Sequence, residues 1–577
     1  MKKESKILTW IFISFVIAKA IISYFIPSSR TLADDYNYLK MSESFFYDFS
    51  FKVHGFFTGQ FHPLYPFMIS IGQIFKDNNL VYLSIKIINS ILSSLIIFPA
   101  YYLSKEFLSE KKSLFISILI SLLPSSFALT SYIMAENLFY SLFLFSLYFI
   151  YKAFNERKLK YHILTGGFIG LAYLTKINGA ILIALLILLI VFDVFNKKFD
   201  KKSLLSILII LLIILPLLLS QFGIFKVYLA KFGLIEDIYL PLQETKLTER
   251  SFVFSQFFML FFAYFGFIIS GSGFIFLPST ILSFKIKTAE LNLFRKISIF
   301  IIILTLIVVA NNNARIIRDF IFKNEVFKFG GDILGRYVDP IIPVVMILGF
   351  IGIEHYLKNK NELNLFLSKK RIAIFVVIGF LLIPISIYFA FNNFFPFNNV
   401  SLTIFGVVNY FIDLILKWEI LHFILILIIF ISAVLIGYFA LKKFDYKKII
   451  SFLLIIFILN LVITLGVINY ASRTSWYYNS EQRQLALYLN SIDKERSNIL
   501  IDEKSYGDLG GEIYDPNVLW AGTNESKYTI LGYWLNDNLI IGNINNLENV
   551  NYVISTYKLN LEKIYETRNK IYLYKVN

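Results

Sequence analysis

The 577-residue sequence is 57% hydrophobic and carries a formal net charge of +16, against roughly 45–50% apolar residues in soluble domains by a similar count. The chain contains no cysteine, which excludes disulfides, thiolate catalysis and cysteine-based zinc sites. Most Lys and Arg residues fall in short loops between apolar runs, a distribution that fits membrane topology and anionic headgroups and argues against a nucleic-acid-binding face.

Lys2, Lys3 and Lys6 precede an apolar run over 7–26. No small-residue cleavage site follows, so this reads as a retained first helix rather than a signal peptide. Crossing the hydrocarbon takes roughly 20 apolar residues. On that measure about thirteen spans are expected, at 7–26, 81–103, 114–129, 138–151, 162–174, 180–195, 204–222, 252–276, 297–310, 338–356, 372–389, 420–441 and 449–468. The run 402–416 contains Asp413 and reads as a further span or a helix lying at the surface.

Alternate loops hold the positive charge, as in Lys105/Lys111/Lys112, Lys197/Lys198/Lys201/Lys202 and Lys442/Lys443/Lys447/Lys448. Together with the N-terminal lysines these belong on the cytoplasmic side. An odd span count then places the C-terminus outside, which favours the surface reading of 402–416. Three longer loops, 27–79, 223–250 and 311–335, fall outside. Residues 1–472 form the membrane domain. Residues 473–577 turn polar and read as a small extracytoplasmic α/β domain, with a helix over 481–489, strands over 498–502, 552–555 and 570–575, and turns at Gly510-Gly511 and Asp515-Pro516.

The first outer loop contains Asp34-Asp35-Tyr36. The two acids offer a general base or cation ligands, or equally a solvated acidic turn or helix start before 38–46. Further along stands Phe61-His62-Pro63-Leu64-Tyr65-Pro66, where His62 could bind an anion or move a proton, or anchor at the interface among aromatic residues. Glu136, in Met134-Ala135-Glu136-Asn137, is a helix-start carboxylate or faces a polar cavity. Lys176 lies in an outer turn, against the usual rule for lysines, and Arg336 precedes Val338-Asp339-Pro340. Both could hold a phosphate or snorkel to headgroups. Arg315, Arg318, Lys323 and Lys328 lie near Arg336 in sequence. Together these acids and cations fall on one face of the membrane, around one long loop.

The pattern resembles the GT-C superfamily of membrane glycosyltransferases, in particular the branch containing protein O-mannosyltransferases and the lipid A aminoarabinose transferase. Five elements carry the resemblance in order: Asp34-Asp35-Tyr36, Phe61 to Pro66, Met134-Ala135-Glu136-Asn137-Leu138-Phe139, Gly170-Leu171-Ala172-Tyr173-Leu174-Thr175-Lys176, and Gly335-Arg336-Tyr337 through Pro343. It covers roughly residues 1–360. The sequence departs from the pattern in having one proline after His62, Asn137 in place of a proline, and Asp-Asp where many relatives have Asp-Glu. Ser475-Trp476-Tyr477-Tyr478-Asn479 lacks the acid of the oligosaccharyltransferase Trp-Trp-Asp motif, which disfavours that branch.

The resemblance implies a GT-C fold and a polyprenyl- or dolichyl-phosphate sugar donor. It implies an inverting transfer to a hydroxyl acceptor on protein, lipid or surface glycan, at the outer face of the cell membrane. Asp34 is the implied base, or Asp35 if the register differs by one. Lys176, Arg336 and His62 are implied to stabilise the lipid phosphate, with Tyr36, Tyr65 and Tyr337 as neighbouring substrate-binding residues. Glu136 is implied to position sugar or acceptor, or to share a divalent cation with Asp34. No His/Cys cluster has metal-ligand spacing. The sequence has no Gly-rich nucleotide loop, which agrees with a lipid-linked donor. The rival class, a transporter or flippase, would place its charges near the bilayer midplane and often shows two related halves. Trp520, Tyr533 and Trp534 are aromatic platforms for sugar or the core of the outer domain, and the core is preferred. Asn399-Val400-Ser401 and Asn524-Glu525-Ser526 are glycosylation sequons on the expected outer side.

Overall fold

The computed structural model describes residues 3–27, 33–53, 56–57, 62–75, 77–221, 254–273, 276–321, 335–358, 400–404, 407, 443, 445–474, 480–493, 497–502, 504–505, 527–535 and 538–576. The first apolar run forms α1, Lys3–Tyr24. After the first loop come α4 (Asn78–Ser94), α5 (Ile97–Lys105), α6 (Glu110–Ser121), α7 (Pro124–Phe127), α8 (Glu136–Glu156), α9 (Leu159–Thr175), α10 (Ala180–Phe195) and α11 (Lys202–Gln221). They are followed by α12 (Phe254–Gly271), α13 (Phe276–Ser283), α14 (Ala289–Ile321), α15 (Ile342–Lys358) and α16 (Tyr446–Thr474). Among the described residues seven helices are long and apolar enough to cross a membrane, or eight if one bent pair is a single span. The expected spans 372–389 and 420–441, the loop 223–250 and most of 402–416 lie outside the described residues. Each of the other expected runs is helical.

Two of those runs are broken, each for a local reason. Pro124 disfavours helical geometry at Leu123, which is extended (ψ 134°), and the chain bends by 70° between Glu110–Ser121 and Pro124–Ser131. The run 252–276 ends α12 at Gly271, and Gly273 takes φ +80°, a conformation that favours glycine. Close helix packing rests on small residues. A Cβ on Gly166 of α9 would lie 2.7 Å from the Ser206 carbonyl oxygen of α11, and one on Gly170 would lie 2.9 Å from Ile213. Such approach is the usual basis of helix association in lipid. Phe168 of α9 stacks between Phe145 and Phe149 of α8, at ring separations of 4.8 and 5.0 Å.

The first loop is folded rather than extended. It contains α2 (Ala33–Asp48), a two-residue strand pair β1 (Lys52–Val53) and β2 (Phe56–Phe57), and α3 (Leu64–Ile69), continued by a 3-10 turn over Ser70–Ile74. Asp34 and Asp35 form the first turn of α2, where the helix dipole favours carboxylates. Tyr38 of α2 meets Tyr65 of α3 edge-on at 5.2 Å, and Gln73 Nε2 donates to Ser42 Oγ at 3.0 Å. These contacts bury α2 although its sequence is polar.

At the C-terminal end, α17 (Glu481–Ile492) is capped by the Ser480 hydroxyl, which accepts from the Arg483 amide. A second helix, α18, spans Lys527–Trp534. The sheet has five strands in the order β4-β3-β5-β7-β6. β3 is Asn498–Asp502, β4 Asn538–Gly542, β5 Tyr552–Ser555, β6 Glu562–Glu566 and β7 Tyr572–Lys575. β3 runs parallel to β4 and β5, while β7 is antiparallel to β5 and β6. The sequence pattern marks β3, β5 and β7. β6 is an exposed edge strand with charged residues at both ends, so it lacks the alternation that marks a strand.

Candidate active site

Four charged side chains from four separated segments meet at one end of the bundle. Asp34 comes from the first turn of α2, and Glu136 is the first residue of α8. Lys176 follows the last residue of α9, and Arg336 lies in the 3-10 turn Gly335–Tyr337 ahead of α15. Arg336 Nη2 pairs with Asp34 Oδ2 at 2.9 Å, and its Nε lies 3.8 Å from Glu136 Oε1. Lys176 Nζ pairs with the same Glu136 oxygen. Acid and base therefore alternate in the order Asp34, Arg336, Glu136, Lys176. The Tyr337 ring lies beside both cations, 4.8 Å from Lys176 Nζ and 5.4 Å from Arg336 Cζ.

Exposure differs among the four and is least at Glu136. The Glu136 side chain is 1% exposed, Arg336 10%, Lys176 12% and Asp34 22%, so Asp34 is the most accessible member. Burying four charges is tolerable because two of each sign compensate one another. Burial alone would lower the Arg336 pKa, but Asp34, Tyr337 and Glu136 beside it raise it well above its ordinary value. Glu136 Oε2 is buried without a hydrogen-bond partner.

Backbone contacts hold these groups in place. Tyr140, one turn beyond Glu136 on α8, donates its hydroxyl to the Arg336 carbonyl at 2.9 Å. Asp339, one turn after Arg336, accepts from Ser401 Oγ at 2.8 Å. Asn137 Nδ2 donates to the carbonyls of Leu129, Tyr132 and Met134 at 3.0, 3.2 and 3.0 Å. It thereby ties the start of α8 to the turn before it. Tyr140 and Asp339 were not among the residues singled out from sequence. Their signal was helical spacing from Glu136 and Arg336.

The remaining expected residues are placed differently. Asp35 is fully buried, and its neighbour Tyr36 is 1% exposed. Tyr65 is buried and donates to Asn89 Oδ1 at 2.9 Å. His62 lies against Tyr173, ring to ring at 5.1 Å. Burial lowers its pKa to about 4, so the ring is neutral near pH 7. The side chains of 312–334, among them Arg315, Arg318, Lys323 and Lys328, lie outside the described residues. Among the described residues no three His, Cys, Asp or Glu side chains gather as a metal site. The Arg336 guanidinium contacts both Asp34 and Glu136, the two acids expected to share a cation.

The opposite end of the bundle carries a second set of ion pairs. Lys105 pairs with Glu4 at 2.6 Å, Lys112 with Glu354 at 2.6 Å, Lys152 with Glu106 at 3.1 Å and Arg157 with Asp193 at 3.0 Å. Of these residues, Lys152 and Glu354 lie at the far ends of α8 and α15 from Glu136 and Arg336.

Residues 61–219 match the family model described as dolichyl-phosphate-mannose-protein mannosyltransferase. No curated protein matches the sequence. The crystal structure of ArnT from Cupriavidus metallidurans bound to undecaprenyl phosphate is similar, with a TM-score of 0.55 and 12% identity over 98% of this chain and 97% of that one. The apo form of the same protein gives a TM-score of 0.54 over the same shares. The archaeal oligosaccharyltransferase AglB from Archaeoglobus fulgidus aligns at a TM-score of 0.42 and 12% identity, over 95% of this chain and 69% of its own, a likeness too low to carry an argument. The chain is thus a multi-pass membrane protein with the GT-C fold, resembling the glycosyltransferases of the O-mannosyltransferase and aminoarabinose-transferase branch of that superfamily.

Proposed function

We propose that the protein is an inverting glycosyltransferase that moves a sugar from a polyprenyl- or dolichyl-phosphate donor to a hydroxyl acceptor at the outer membrane face. The observation that carries this reading is the pairing of Asp34 with Arg336 beside Glu136 and Lys176. It joins a partly exposed carboxylate to two cations at one end of an apolar bundle. A lipid phosphate entering from the bilayer would compete with Asp34 for the planar fork of Arg336, with Lys176 as a second point charge. Asp34 then accepts the proton of the acceptor hydroxyl as that oxygen attacks the anomeric carbon. The bond from that carbon to the phosphate oxygen breaks, and its electron pair leaves on the lipid phosphate. A single displacement inverts the configuration and requires one base. Arg336 and Lys176 offset the charge that grows on the phosphate. Glu136 keeps both cations in place, and its unpartnered Oε2 is an acceptor for a sugar hydroxyl.

The membrane orientation follows from the charge distribution. The lysine-rich end belongs in the cytoplasm, which puts the Asp34 end and the C-terminal domain outside. The test is transfer of labelled sugar from a polyprenyl-phosphate donor by the purified chain in nanodiscs. Asp34→Asn should lower kcat by about 10²–10⁴-fold. Full activity in that variant would sink the assignment.

A further inference from the structure

The helix that carries Asp34 is held on one side by the C-terminal domain. Gly532 in α18 lies against the Tyr36 ring, where an added Cβ would stand 2.9 Å from Cε2 and 3.0 Å from Cζ, and closer still to Oη. Real Cβ atoms do not approach so closely, so no other residue fits there without a shift of α18 or of Tyr36. Two further contacts reinforce the seat. Lys40 of α2, paired with Glu43 at 2.8 Å, also reaches the Leu535 carbonyl at 3.4 Å. Tyr533 meets Tyr82 of α4 edge-on at 6.0 Å.

α18 is itself fixed from behind. Asn490 of α17 donates to the Trp534 carbonyl at 2.8 Å, and the Arg483 guanidinium lies 4.5 Å from the Trp534 ring. Tyr533 and Trp534 are 3% and 2% exposed, so they serve packing rather than an open sugar platform. Tyr36 is less than one turn from Asp34 on α2.

We propose that the C-terminal domain is a working part of the catalytic site, with Gly532 as a positioning residue. Seated on Tyr36, α18 sets the height and rotation of the first turn of α2, and so the distance between Asp34 and Arg336. This rests on Asp34 being the base, as proposed above. Misplacing a catalytic group by about 1 Å can cost on the order of 100-fold in rate.

The experiment uses the full-length chain in nanodiscs with two readouts. Gly532→Ala should lower kcat for transfer from a polyprenyl-phosphate sugar by about 10–100-fold, with little change in KM. Adding Tyr36→Phe, which removes the closest atom, should recover part of that loss. The second readout does not depend on transfer. The native chain has no cysteine, so Asp34→Cys introduces a single thiol whose labelling by a water-soluble maleimide reports the exposure of this turn. Gly532→Ala should change that labelling rate several-fold, and Gly532→Val more. An unchanged labelling rate in both variants overturns the proposal, whatever the effect on transfer. A changed rate in a chain that transfers no sugar would support the coupling of α18 to α2 while removing the glycosyltransferase reading.

Discussion

Arg336 Nη2 and Asp34 Oδ2 stand 2.9 Å apart, joining the turn ahead of α15 to the first helix of the outer loop. The same guanidinium approaches Glu136, so one side chain organises both acids. Arg336→Ala should therefore lower transfer by on the order of 10²–10³-fold, the scale of losing one preorganised charge donor. Arg336→Lys keeps the charge but loses the planar fork, and should fall between the two. Steady-state transfer and undecaprenyl phosphate binding, measured side by side, check this. Equal activity of the Lys and Ala variants would show that the charge of Arg336 is not used.

Glu136 is the most buried member of the site and pairs with Lys176. Glu136→Gln leaves two buried cations facing one acid, and removal of one partner of a buried pair costs about 3–5 kcal/mol. Lys176→Met on top of it should restore part of the loss. A thermal-unfolding cycle over the two single variants and the double variant should give a coupling of about 0.5–3 kcal/mol. A coupling near zero would mean that the pair is not maintained in the membrane.

His62 gives a pH signature. Its folded pKa is lowered to about 4 from the usual 6.5. Between those values the unfolded chain binds a proton that the folded chain does not, so stability falls as the pH drops through that window. The full effect is about 3 kcal/mol, lost progressively from pH 6.5 to about pH 4, with none of it felt at pH 7 and above. His62→Asn should flatten that part of the stability profile. Unfolding midpoints at pH 7 and pH 4.5 for both proteins decide it.

Gly166 and Gly170 let α9 approach α11, and α9 ends at Lys176. Gly166→Val should destabilise by about 1–3 kcal/mol through overpacking. The variant Gly167→Val serves as a control, because an added Cβ there meets nothing within 4 Å. Equal unfolding midpoints for the two variants would remove the argument for close packing at this pair.

The sequence by itself determined the membrane class, most of the apolar helices, and the charged residues that meet at one end, but not α18, nor the continuation of α14 through 311–321 where a loop is expected. Hydrophobic run length is a local property, and the motif residues are few and chemically distinctive, so both are legible without a fold. Run length alone reads through the two breaks at Pro124 and at the Gly271-Ser272-Gly273 turn, although each has a local backbone cause. Only the tertiary structure decided that Asp34 pairs with Arg336. Asp34 and Asp35 are indistinguishable in sequence, and the rotation of α2 turns one toward Arg336 and buries the other. It also decided that His62 is neutral, since burial, not residue type, sets its proton. The seat of Gly532 on Tyr36 was out of reach for the same reason. A contact between opposite ends of a chain leaves no periodicity or spacing in either segment, and exists only once both have folded onto the same surface.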